Sequence, residues 1–179
     1  AQQNWVYAFS EGDGKNKKLL GGKGANLCEM TQIGLNVPPG FVISTEACLE
    51  YLGSDGDDLA PGIMDQVRTQ MKAVEEMTGK GFGDKANPLL VSVRSGSALS
   101  MPGMMDTILN LGLNSETLQG EIEQTGDPRF GYDAYRRFIQ LFGKVALGIS
   151  DELFDEQFEA VKQRAHVTED VGLSAADLQ

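Results

Sequence analysis

Histidine, cysteine and tryptophan are scarce in this 179-residue chain, which holds one, two and one of them respectively. A single histidine, His166, leaves almost no room for a Ser-His-Asp triad or a multi-histidine metal centre. It lies past an acidic, amphipathic helix with no glycine-rich or hydroxyl context and reads as a surface side chain. Cys28 and Cys48 supply neither a disulfide framework nor a metal cluster; both fall in predicted helices, where a half-buried thiol behaves as a small apolar group. Positive charge is short as well: 15 Lys/Arg stand against 26 Asp/Glu, a net charge of −11. That balance argues against generic binding of nucleic acid or an anionic membrane, which needs a basic face. No apolar run is long enough for a membrane span and no basic-then-apolar leader opens the sequence, so the expected setting is reducing and cytoplasmic.

What is present is a globular composition, 41% hydrophobic, enough for one respectable core or two small ones. Trp5–Phe9 is short, aromatic and β-prone, followed by a Gly/Asp/Lys loop. A first helix is predicted from Lys23 or Gly24 to Ile33, stopped by Gly34 and by Pro38-Pro39-Gly40. Phe41–Ser44 reads as a buried strand. Thr45 is the expected cap of a helix over Glu46–Leu52, and Pro61 opens another whose Ile63, Val67, Met71 and Val74 recur at helical spacing. Leu89–Val93 is the strongest strand, and Thr107–Leu111 is a second. Beyond Asn114 the pattern is helical: Ser115–Gln124, Pro128–Leu147, and a helix behind Ser150 with Asp151 and Glu152 in its first turn. The change from mixed to helical pattern near Gly112 suggests two parts, 1–112 and 113–179. The chain starts at Ala1 rather than Met, and Leu173–Gln179 reads as the opening turn of a helix capped by Ser174. The expectation is therefore a piece of a longer protein.

Two short turns carry the chemistry. In Leu19-Leu20-Gly21-Gly22-Lys23-Gly24-Ala25-Asn26-Leu27, paired glycines let the backbone approach an anion, and a following helix would aim N–H groups and partial positive charge at it. Lys23 adds a mobile point charge. In Val91-Ser92-Val93-Arg94-Ser95-Gly96-Ser97, Arg94 adds a planar fork suited to phosphate oxygens, beside two hydroxyls. Residues 1–112 carry 9 cations against 13 anions and residues 113–179 carry 6 against 13. Lys23 and Arg94 thus stand on an acidic background, as a selective anion site requires. Together they suggest a polyphosphate. Neither turn is a standard motif: a Walker loop needs Ser or Thr after the lysine, where Gly24 stands, and Leu27 occupies the third-glycine position of a dinucleotide fingerprint. Taken alone, the first turn reads as an ordinary helix-start loop and the second as a polar strand end. Met101-Pro102-Gly103-Met104-Met105-Asp106 suits a core gap or an apolar lid over a flat base. On the long helix, one of Arg136 and Arg137 is expected to reach a ligand while the other pairs with carboxylates.

Joined end to end, Leu19–Leu27, Gly34-Leu35-Asn36-Val37-Pro38-Pro39-Gly40-Phe41, Ser92-Val93-Arg94-Ser95-Gly96, Ser100–Asn114 and Pro128–Phe138 closely resemble the amino-terminal nucleotide-binding region of the pyruvate, phosphate dikinase family. The related phosphoenolpyruvate synthases share the lysine-bearing turn and the Val-Arg-Ser pattern but typically lack the Met-Pro-Gly-Met-Met-Asp block. The resemblance implies an α+β fold, the first part of an ATP-grasp domain (a mixed sheet with flanking helices) followed by an all-helical subdomain. It implies that Lys23 and Arg94 contact the triphosphate, Arg94 acting catalytically as charge shifts. Arg137 is a further phosphate contact, and Gly103 and Met105 belong to a loop along the nucleotide. ATP and Mg²⁺ are the implied cofactors, with the magnesium-binding acidic residues beyond Gln179. In the whole enzyme a histidine on a separate domain attacks the β-phosphate of ATP and releases AMP. Inorganic phosphate then takes the outer phosphoryl group and leaves as pyrophosphate, and the remaining phosphohistidine converts pyruvate to phosphoenolpyruvate. The partners implied are those other domains and a second copy in a homodimer, with no nucleic acid and no membrane. His166 does not match the phosphohistidine context. The chain by itself is expected to catalyse nothing. The rival readings are a phosphoenolpyruvate synthase relative and a non-catalytic nucleotide-sensing module.

Overall fold

The computed structural model describes residues 3–54, 58–96 and 106–179. These fall into two compact units that part after Gly79: residues up to 79 with Ser95 and Gly96 in one, 80–94 and 106–179 in the other. The strands on either side of residue 100 fold with the helices that follow them.

In the first unit, β1 (Val6–Ala8) pairs antiparallel with β2 (Phe41–Ile43), Val6 opposite Ile43 and Ala8 opposite Phe41. Around this ladder pack α1 (Lys17–Gln32), α2 (Thr45–Gly53) and α3 (Ile63–Thr78). Trp5, Val6, Ala47 and Ile63 form one buried cluster; Leu20, Ala25 and Cys28 form another, lined by Tyr7, Phe9 and Val42. The periodicity read along α3 is real: Ile63 and Val74 are buried and Val67 packs on the first cluster. Polar side chains do much of the joining. The Gln66 carboxamide oxygen accepts from the N–H groups of Trp5 (2.7 Å) and Val6 (3.1 Å), and its nitrogen donates to the Gln3 carbonyl. It fastens the start of β1 to α3 much as a neighbouring strand would.

Two expectations are corrected here. β2 is short and half-exposed, with Ile43 51% accessible, so it is not a buried strand. The cap of α2 is Ser44, whose hydroxyl accepts from the Ala47 N–H, while the Thr45 hydroxyl donates to the Lys18 carbonyl and ties α2 to α1. Either residue type satisfies the capping rule, and the extended backbone of Ser44 decides it. Gly34 does end α1: at φ +86° it lets its own N–H reach the Thr31 carbonyl and that of Leu35 reach Met30, a Schellman closure.

In the second unit, β3 (Val91–Arg94) and β4 (Thr107–Leu111) pair antiparallel with an irregularity between Val91 and Val93. The strands thus make two separate two-stranded ladders among the described residues. β4 packs on the long α5 (Pro128–Leu147), which also meets α4 (Thr117–Thr125), α6 (Asp151–Ala165) and α7 (Ala175–Leu178). Leu113, Leu118 and Ala134 form its core with Leu90, Ile122, Tyr132, Tyr135 and Phe138 against them. Asp127 and Ser150 cap α5 and α6, and Ser174 makes a reciprocal capping box with Asp177. A 3-10 turn over Asp170–Gly172, not read from the sequence, is strapped to α5 by Arg129, which donates to the carbonyls of Asp170 and Leu173. Among the described residues no helix is long and apolar enough to cross a membrane.

Candidate functional site

The lysine-bearing turn lies within a helix rather than ahead of one. α1 begins at Lys17, capped by Asn16, but Gly21 at φ +71°, ψ +165° breaks it, so the helical path restarts at Gly22. Only glycine adopts that backbone without strain. Lys23 therefore sits in the first turn of the second helical stretch, where backbone N–H groups gather and the dipole is positive. The two flanking glycines serve different ends. Gly24 is buried, and a Cβ placed there would lie 2.8 Å from Cγ1 of Val42, so it permits close approach of α1 to β2. The Lys23 side chain is half-buried and has no hydrogen-bond or ion-pair partner among the described residues.

Arg94 closes β3, opposite Thr107, and is exposed. Its guanidinium likewise has no ion-pair or hydrogen-bond partner among the described residues. β3 pairs antiparallel with β4 and is largely exposed along its length.

Arg136 and Arg137 differ sharply. Arg136 donates from Nε (3.2 Å) and a terminal nitrogen (2.8 Å) to one oxygen of Asp133, and its guanidinium lies 4.0 Å from the ring centroid of Phe158. Arg137 pairs with the other oxygen of Asp133 at 2.9 Å and stays 59% exposed. Arg136 is thus spent on packing α5 to α6, and Arg137 is the one open to solvent. Lys162 lies 5.2 Å from the centroid of the same phenyl ring and pairs with Glu159 and Asp170, which raises its pKa above the ordinary lysine value. His166 ends α6 in the left-handed region at φ +56°, exposed. Gly103 and Met105 lie outside the described residues. Among the described residues no group of three or more His, Cys, Asp or Glu side chains could hold a metal ion. They offer no ligand set that fits Mg²⁺.

Residues 17–78, the segment that contains Lys23, match the family model described as the pyruvate phosphate dikinase AMP/ATP-binding domain. Over 174 residues, 97% of the chain, it is 55% identical to pyruvate, phosphate dikinase of Entamoeba histolytica, of which this is 20%. Over nearly its whole length the chain is similar to pyruvate, phosphate dikinases. The enzyme of Clostridium symbiosum is 50% identical over 98% of the chain and 20% of its own length; the chloroplastic enzyme of Flaveria pringlei is 53% identical over 95% and 18%. The chain thus spans about a fifth of the length of the curated relatives it matches.

Proposed function

We propose that the chain is the first part of an ATP-grasp domain whose Lys23, Arg94 and Arg137 hold the phosphates of ATP. In the complete enzyme the β-phosphoryl group passes to a histidine and on to pyruvate, the outer phosphoryl group passes to inorganic phosphate to give pyrophosphate, and AMP is released. The observation that carries the reading is Lys23: a half-buried ammonium with no partner among the described residues, at the restart of a helix broken by Gly21, within the segment that matches an AMP/ATP-binding domain. A cation without a partner among the described residues, at a positive helix end, is poised for an anion.

The chemistry asked of these residues is positioning and charge neutralisation, since phosphoryl transfer leaves little covalent work for the protein. Lys23 supplies a point charge, Arg94 a bidentate fork where negative charge shifts in the transition state, and Arg137 a further phosphate contact. Gly103 and Met105 line the nucleotide in this proposal, magnesium is held by acidic residues outside the chain, and residues 1–112 and 113–179 are the α/β and helical subdomains. The complete enzyme works as a cytoplasmic homodimer, and the chain alone turns nothing over.

The test is Arg94→Leu in the complete enzyme. Loss of a charge-assisted fork worth about 2–4 kcal/mol in the transition state lowers ATP-dependent phosphorylation by about 30- to 1000-fold. Near-normal AMP release would overturn the role of Arg94. Pyruvate-dependent AMP formation by the isolated chain would overturn its expected inactivity.

A further inference from the structure

The geometry points to Asp133 as a positioning residue that fixes the Arg137 guanidinium for a nucleotide phosphate, an inference that rests on the nucleotide reading of Arg137 above. The Asp133 side chain is only 16% exposed, yet it faces two arginines, one per carboxylate oxygen. Oδ1 takes both bonds from Arg136; Oδ2 is left for Arg137 at 2.9 Å. Residues three and four positions on from 133 share its face of α5, which brings both guanidinium groups to one carboxylate.

The two arginines are not equivalent. Arg136 is 21% exposed and is held from three sides: by Asp133, by the Phe158 ring at 4.0 Å and by the Gln140 side-chain oxygen at 3.5 Å. It fixes the carboxylate and balances its charge. Arg137 meets Asp133 through one terminal nitrogen only, in an ion pair, and no side-chain hydrogen bond engages its guanidinium among the described residues. One edge of its fork is anchored, and the rest faces solvent. A long side chain held this way loses part of its rotamer freedom before a ligand arrives, so a phosphate meets a guanidinium already in place. Asp133 never touches the ligand.

The test is ATP titration of the chain, followed by calorimetry, for wild type, Asp133→Asn, Arg137→Gln and the double variant. Melting curves are taken alongside. Asp133→Asn keeps the shape of the side chain and removes its charge. Expected are a roughly tenfold weaker dissociation constant for Asp133→Asn, a larger loss for Arg137→Gln, and no further loss in the double variant. Asp133→Glu, which restores the carboxylate, recovers part of the affinity. If Arg137→Gln binds ATP like wild type, or wild type binds no ATP, the nucleotide reading fails and this inference with it. If Arg137→Gln weakens binding but Asp133→Asn does not, this inference alone fails. It also fails if Asp133→Asn weakens binding equally with and without Arg137, the mark of a merely structural carboxylate.

Discussion

Lys23 of the first unit and the Arg136–Arg137 pair of the second are held in opposite ways. In the first, Lys23 stands on a helix broken by one glycine, half-buried and unpaired among the described residues. In the second, Arg136 and Arg137 share one carboxylate, and a phenyl ring pins the inner of the two. The difference follows from the groups themselves. An ammonium on a flexible stem can be placed by backbone geometry alone, whereas a planar fork gains from being oriented in advance. A broken helix does the first and an ion-paired helix face the second.

The units also differ in the contacts that hold each one together internally, and those contacts can be broken experimentally. The largest effect is expected in the second unit from Gly120→Ala. A Cβ there would lie 2.0 Å from the Lys85 carbonyl oxygen, a backbone atom that cannot step aside. The cost is about 3 kcal/mol, seen as a lowered denaturation midpoint. Next, Gln66→Leu in the first unit strands the Trp5 and Val6 N–H groups that its carboxamide now satisfies, at about 2 kcal/mol. A midpoint unchanged by either variant would remove the corresponding joint from this description.

Smaller effects come from titration. Burial raises the Cys28 thiol above its ordinary value of 9.0. The folded chain then holds that proton more tightly than the unfolded one, so this contribution is full below pH 9 and is lost as pH rises through the folded value. Denaturation midpoints should fall in that alkaline window, and less so in Cys28→Ala. Asp84 runs the other way: the Ala86 and Asn87 N–H groups hold its carboxyl below its ordinary 3.8, so its contribution is present above that value and fades as pH falls through the folded one. The smallest contrast is chemical. Cys48 is exposed and Cys28 buried, so a thiol reagent should modify one equivalent quickly and the second only on unfolding. Two fast equivalents would contradict the burial of Cys28.

Much of this was legible in the sequence, for local reasons. The bounds of α5, the Ser150 and Ser174 caps, the Gly34 stop and the stripe of α3 each follow from a rule acting within a few residues. What escaped depended on distant partners. Ser44 and Thr45 are equally good caps on paper, and the Lys18 carbonyl, 27 positions away from Thr45, takes the threonine. β2 reads as apolar, but a two-stranded ladder has too few neighbours to bury it. At the candidate site, Gly21, Gly22 and Gly24 mark the turn, yet the sequence could not say that Gly21 breaks a helix already begun at Lys17 or that Gly24 makes room for Val42. An arginine pair on one helix was visible; Asp133 one turn earlier, which separates their roles, was the signal that could have been read from the i, i+3 and i, i+4 spacing.

The most direct test of the proposal that Lys23 and Arg94 both contact the phosphates of ATP is a phosphorus NMR titration of ATP with the chain in wild-type, Lys23→Gln and Arg94→Leu forms. Wild type should shift the β- and γ-phosphate resonances, and each substitution should weaken the dissociation constant by about 10- to 100-fold, as loss of a hydrogen bond to a charged group does. Phosphate resonances that respond equally in all three proteins, or in none, would contradict it.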